Sequence, residues 1–225
     1  MDFNLMKNNK VNISGEVVSE LKFSHSIYNE GFYEFDLKVV RLSDTFDIIP
    51  ITISERLLQE YPLKIGDKLS GNGQFRSYNK LEDGKSKLML TVFLREVYPY
   101  SENNNSNYIE ITGYVCKEPV FRTTPFKREI SDVLLAVNRC YNKSDYLPCI
   151  AWGRNARFVK NFNIGDKVVV QGRIQSREYQ KKVNDELITK TAYEVSLNKI
   201  ELVKEDNDVD VMDTSYGVLE NYYVR

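Results

Sequence analysis

The residues of this sequence whose chemistry invites a test are three cysteines, one histidine, a run of aspartates and a large set of tyrosines and cations. Cys116, Cys140 and Cys149 lack the two-residue spacing of a metal-binding pair and lie in apparent strands, so they read as small core residues. His25 is the only histidine, and neither a serine nor a cysteine has a recognisable base beside it. Asp206, Asp208 and Asp210 copy the opening of a calcium loop, but Val211 stands where that loop needs glycine and Gly217 where it needs glutamate. No glycine-rich phosphate cradle is present. An enzyme is not expected, nor a metal or other cofactor. What remains is noncovalent. Tyr141, Tyr146, Trp152 and Tyr179 are flat rings, interleaved with Arg122, Lys127, Arg128, Arg139, Lys143, Arg154, Arg177, Lys181 and Lys182. Rings stack on exposed heterocycles, each for roughly 1–3 kcal/mol, while a cluster of cations neutralises phosphate.

The charge distribution favours the second half of the chain. Overall, 31 Lys and Arg face 32 Asp and Glu, a net charge of −1 with a pI near 6.0. Yet residues 108–203 hold 16 basic against 11 acidic side chains, net +5, while residues 10–98 are net −1 and residues 204–225 net −4. A neutral total thus conceals a basic segment of the kind a phosphate-binding surface requires. Hydrophobic residues make up 42% of the chain, enough to fill ordinary cores. No apolar run approaches the roughly 20 residues that cross a bilayer, and Ile48 to Ile53 is broken by Pro50, so no membrane span is expected. Met1 to Lys7 lacks the pattern of a secretion signal and three cysteines cannot pair evenly, which makes a cytoplasmic protein with reduced thiols the expectation.

The elements that must position these side chains are repeated. Displaced by 98 positions, residues 11–53 match their second copy at positions 13, 15, 17, 20, 23, 37, 39, 41, 47 and 50. One extra residue then moves the offset to 99, where Ile65-Gly66-Asp67-Lys68 meets Ile164-Gly165-Asp166-Lys167, Gly73 meets Gly172 and Ser77 meets Ser176. The chain therefore reads as an N-terminal segment (1–9), a first domain (10–99), a polar linker (100–107), a second domain (108–203) and a flexible acidic tail (204–225). Period-two patterning in the second copy predicts five strands: Ile109 to Val120, Ile130 to Cys140, Asp145 to Trp152, Lys167 to Tyr179 and Ile188 to Val203. Between the third and fourth, Ala156, Val159 and Phe162 form a helical stripe. The first copy repeats the order, with Ser54 as helix N-cap and Asp83-Gly84 as a hairpin turn. The predicted fold class is all-β with one short helix per domain, two tandem five-stranded OB barrels.

Residues of the second copy carry a resemblance. Tyr108 to Val115, Pro119, Arg122-Thr123-Thr124-Pro125, Leu135 to Arg139, Ala151 to Ala156, Gly165 to Arg173 and Ser176 to Tyr179 resemble the bacterial single-stranded DNA-binding protein (SSB) family in order and spacing, from Asn107 to about Val203. The resemblance implies single-strand binding with little sequence preference, protecting exposed strands in replication, recombination or repair. It also implies that Tyr141, Tyr146, Trp152 and Tyr179 are the stacking aromatics, with the nine cations above as phosphate contacts. Since such proteins with one OB domain per chain act as tetramers, a homodimer presenting four barrels is expected, with replication or repair proteins as further partners. The chain departs from the family at its end, Glu220 to Arg225, where members carry an acidic tip with a terminal apolar residue.

The first copy matches only through the repeat. Ser43, Ile48 and Ser54 stand in the places of Tyr141, Tyr146 and Trp152, and only Tyr78 remains near the fourth. Phe46, Tyr33 and Tyr28 read as packed or loop residues, and Ile48, Ile51 and Ile53 as spare apolar surface for an interface. Two other readings stay open from the sequence: an adaptor resembling the primosomal relatives of SSB, and an RNA-binding OB protein.

Overall fold

The computed structural model describes residues 7–43, 45–82, 84–101, 107–183 and 186–203; the acidic tail and most of the polar linker lie outside them. Among the described residues twelve strands and two short helices form. In the first half these are β1 (Asn9–Val17), β2 (Lys22–Ile27), β3 (Glu30–Val40), β4 (Phe46–Ser54), α1 (Glu55–Glu60), β5 (Lys68–Glu82) and β6 (Lys85–Pro99). In the second they are β7 (Asn107–Val115), β8 (Val120–Thr123), β9 (Glu129–Arg139), β10 (Lys143–Trp152), α2 (Arg154–Val159), β11 (Lys167–Val183) and β12 (Glu186–Leu202).

Each half closes on itself. β1 pairs with β3 and β5, β3 with β4, β4 in parallel with β6, and β6 with β5, a ring of five strands. β7, β9, β10, β12 and β11 repeat that ring, again with one parallel pair, β10 against β12. This is the OB arrangement, and in each ring the single helix follows the third strand. The sixth strand of each half corrects the sequence expectation of five. Residues 109–120 are not one strand: β7 stops at Val115, and after Pro119, which has no N–H for a ladder, Val120–Thr123 pairs as a separate edge strand with β9.

The identities that revealed the repeat fall on closure points. A Cβ on Gly15 or Gly113 would meet the carbonyl oxygen of Lys38 or Ala136 where β1 meets β3 and β7 meets β9. Gly73 and Gly172 sit at the β-bulges that bend β5 and β11 around their barrels, each against a partner-strand carbonyl. The cores are filled by inward-facing alternates, Ile13, Phe35, Leu37, Ile49, Ile51, Ile53, Phe75, Val92 and Leu94 in the first barrel and Ile111, Leu135, Leu147, Ala151, Val170, Ile174 and Val195 in the second. Ile51 and Ile53 are fully buried there, so they are core and not the interface surface that the sequence suggested.

The two barrels are joined by a local pseudo-two-fold. β1 and β7 pair antiparallel with Val11 opposite Ile109, residues that are themselves equivalent in the repeat. One twelve-stranded sheet results, ending in β2 on one side and β8 on the other. Asp47 and Asp145, another repeated pair, are both buried and each reaches the opposite barrel. Asp145 Oδ1 accepts the N–H of Ser77 at 2.7 Å, and Asp47 Oδ1 accepts the N–H of Ser176 at 2.7 Å. The hydroxyls complete the exchange, Ser77 Oγ accepting from the N–H of Tyr146 at 2.8 Å and Ser176 Oγ from that of Ile48 at 3.3 Å. Arg41 and Arg173 neutralise Asp47, and Arg139 lies 3.4 Å from Asp145.

Candidate nucleic-acid interface

The side chains with stacking and cationic chemistry are positioned by the outer face of β10, β12 and β11. Along β10 the odd residues Leu147, Cys149 and Ala151 enter the core, which turns the even residues Tyr146, Pro148, Ile150 and Trp152 outward. Ile150 is beside Ser196 on β12, and Ser196 is opposite Arg173 on β11. Outward faces therefore continue from Tyr146 and Trp152 through Ser196 and Glu194 to Gln175, Arg177 and Tyr179. Hydrogen bonds confirm the shared face: Trp152 Nε1 donates to Ser196 Oγ at 3.2 Å, and Gln175 Nε2 donates to Glu194 Oε1 at 2.7 Å.

Trp152 owes its place to one residue. In the first barrel Ser54 both ends β4 and caps α1, its Oγ accepting the N–H of Leu57 at 3.3 Å. In the second barrel two residues share these tasks. Trp152 ends β10, and Gly153, with a φ of 54°, provides the left-handed turn into α2. This is where the repeat offset changes from 98 to 99. Relieved of capping, the strand-end position carries an indole that is 37% exposed, with its N–H satisfied by a serine.

Beside Trp152 runs a shallow groove lined by Thr123, Lys127, Arg128, Glu129, Gly153 and Arg157. It brings the indole together with two expected phosphate contacts, Lys127 and Arg128. Lys127 lies in the turn closed by Thr124, with a φ of 60°. Arg157 was not anticipated from the sequence, because on a helical stripe it reads as an ordinary solvated charge. Its Nε donates to Glu129 Oε2 at 2.6 Å, which fixes the guanidinium at the groove.

The other expected residues separate by environment. Tyr141 is 81% exposed, but it occupies the left-handed β9–β10 turn with Asn142, away from the strand face. Tyr179 carries Arg177 5.7 Å from its ring centroid, and Arg177 also lies 3.7 Å from Glu194. Arg122 forms a two-pronged ion pair with Asp132 at 2.8 and 3.3 Å. Lys143 and Arg154 are exposed at the starts of β10 and α2. Arg139 is engaged by Asp145 at the barrel junction, which makes it a structural cation. The side chains of Lys181 and Lys182 lie outside the described residues. In the first barrel, Ser43 bonds Thr45, Ile48 is part-buried beside Ser176, and the hydroxyl of Tyr78 donates to Glu34 at 3.1 Å. Tyr33 packs against the core and Tyr28 sits fully exposed in the β2–β3 turn, while Phe46 is exposed under Lys38.

Burial pushes the Cys116 thiol up to about 11 and raises Cys149 further, so both stay protonated at neutral pH. Among the described residues no cluster of histidine, cysteine and carboxylate side chains could hold a metal ion. Nor is any described helix long and apolar enough to cross a membrane.

Comparison with known proteins follows this geometry. Residues 106–203 match the model of the single-strand binding protein family. The chain is 33% identical over 81 residues to single-stranded DNA-binding protein 1 of Staphylococcus aureus, covering 33% of this chain and 48% of that protein. Single-stranded DNA-binding protein A of Bacillus subtilis is likewise 33% identical over 81 residues, covering 33% of this chain and 47% of that protein. The chain thus spans about half the length of the curated relatives it matches. The wild-type single-stranded DNA-binding protein from Thermus aquaticus superposes with a TM-score of 0.70 over 90% of this chain and 96% of that one, at 16% identity, a likeness of fold.

Proposed function

We propose, from the match of residues 106–203 to the single-strand binding protein family, that the protein binds single-stranded DNA with little sequence preference. The observation that carries this reading is Trp152, an indole with its N–H satisfied and its ring exposed, set at the rim of a groove that holds Lys127, Arg128 and Arg157. Unpaired bases present flat faces that a sheet-borne ring can cover, and their phosphates need cations within reach. Tyr146 and Tyr179 extend the surface along the same face, and Tyr141 adds an exposed ring at the β9–β10 hairpin tip. Of the cations, Lys127, Arg128, Lys143, Arg154 and Arg177 serve phosphate, and Arg122 does so in competition with Asp132. In this reading residues 10–99 and 108–203 are the two domains, the protein works in the cytoplasm during replication, recombination or repair, and two chains pair to present four barrels.

Fluorescence anisotropy of a labelled thymidine oligomer tests the reading. Saturable binding that weakens with salt is expected, and an oligomer that tumbles freely at micromolar protein would leave the adaptor role in its place. A uridine oligomer of equal length in the same assay separates DNA from RNA. Light scattering that gives one chain's mass at micromolar concentration would rule out the paired assembly.

A further inference from the structure

The outer face of the first barrel carries an aromatic row that the repeat alignment hides. Phe93 on β6 stands beside Thr52, the position that Ser196 takes beside Ile150 in the second barrel. Ser54 stands where β10 has Trp152. Aromatic and serine have exchanged strands across the parallel pair, and the same patch of sheet keeps a ring. Flat groups continue on both sides of it. The Arg76 guanidinium lies 3.9 Å from the Phe93 centroid, Phe32 lies 5.6 Å away, and His25 is stacked on Phe32 at 5.0 Å with 15° between planes. The row spans β2, β3, β6 and β5, over the small side chains of β4. It ends at the junction, since Arg76 faces Asp145 and its neighbour Ser77 holds the backbone of Tyr146.

We propose that Phe93, Phe32 and His25 form a second base-stacking site, which continues the single strand from Tyr146 of the second barrel onto the first. This rests on the single-strand reading given above. His25 is exposed and so is its strand neighbour Phe23, so unpaired bases can reach the outer end of the row. The electrostatics differ from those of the second barrel. Glu34 and Asp36 alternate with Phe32 on the outward face of β3, and residues 10–98 carry net −1. The first barrel therefore adds affinity by stacking without adding phosphate contacts, and the salt dependence remains that of the second barrel.

The test compares the full chain with its Phe93→Ser, Phe93→Leu and His25→Ala variants on thymidine oligomers of about 8 and about 30 nucleotides, lengths that one OB fold fills and exceeds. Phe93→Ser should weaken binding of the long oligomer by about five- to 150-fold, the loss of one stacked base, with the short oligomer and the slope of log affinity against log salt unchanged. Phe93→Leu keeps the apolar bulk and should give the same loss at a wild-type melting temperature. His25→Ala, at an exposed position, should give a smaller loss of the same kind. Variants that bind both lengths as the wild type does would overturn the second site while leaving single-strand binding intact. A wild-type chain that binds neither length would remove the single-strand reading and this site with it.

Discussion

Asp145 of the second barrel accepts the main-chain N–H of Ser77 of the first at 2.7 Å, in a position where the carboxylate is 1% exposed. The bond crosses the junction, and Asp47 makes its counterpart to Ser176. A buried carboxylate without such partners is costly, so each aspartate is stable only while the opposite barrel is in place. The barrels are thereby held in one orientation, which places Tyr146 against β5 and aligns the two outer faces at Arg76.

Removing that carboxylate should loosen the junction. Asp145→Ala leaves Arg139 and Arg76 facing each other and the Ser77 N–H unpaired, and should lower unfolding free energy by about 3 kcal/mol. Chemical denaturation measures this. Arg122→Ala, which breaks a more exposed pair with Asp132, should change stability by about 1 kcal/mol or less.

The junction also carries a pH dependence of known sign. Burial raises the Asp145 carboxyl above its ordinary value, opposed by the Ser77 N–H and by Arg139 and Arg76. The folded form thus takes up a proton more readily than the unfolded chain. Stability from this group is complete below the unfolded value, near 3.9, and is lost as pH rises through the folded value. The stability difference between wild type and Asp145→Asn should therefore move in the wild type's favour as pH is lowered from about 6 to about 3. A shift in the opposite direction would mean that the ion pairs outweigh burial.

Affinity and stability should separate at Trp152. Trp152→Ala should weaken single-strand binding by on the order of 1–3 kcal/mol with little change in melting temperature. Ser196→Ala, which removes only the hydroxyl acceptor of the indole, should cost about 1 kcal/mol or less. A large fall in melting temperature with unchanged affinity would make Trp152 a packing residue.

The cations divide in the same manner. For a surface that neutralises four phosphates, log affinity should fall with log salt at a slope of about −3, and Lys127→Ala or Arg128→Ala should each make it shallower by about 0.7. Arg139→Ala should leave the slope unchanged and reduce stability, because its guanidinium is committed to Asp145.

How far the sequence carried these features depends on which contacts leave a periodic trace. Alternation and the paired glycines 15 and 113, 73 and 172 gave the OB class, since closure needs inward apolar residues and close backbone approach at fixed places. The β8 strand escaped because it is four residues long with no buried position, so it leaves no alternation to read. The match of Asp47 with Asp145 was visible, but pairing across barrels has no period along the chain and their partners lie 129 and 68 residues away. The row at Phe93 was illegible for a related reason: a repeat alignment compares like strands, and here the ring had crossed to the neighbouring one. Ile51 and Ile53 misled because Ile48 beside Ile49 puts apolar side chains on both faces of β4, so the sequence there does not say which face is inside.

Trp152 is the only tryptophan of the chain, so its emission reports one site. Titration of the intact protein with a thymidine oligomer should quench that emission to a saturating limit at a fixed number of nucleotides per chain, and added salt should reverse the quenching. Emission that stays constant up to a molar excess of oligomer, in a protein with its native melting transition, would contradict single-strand binding on this face.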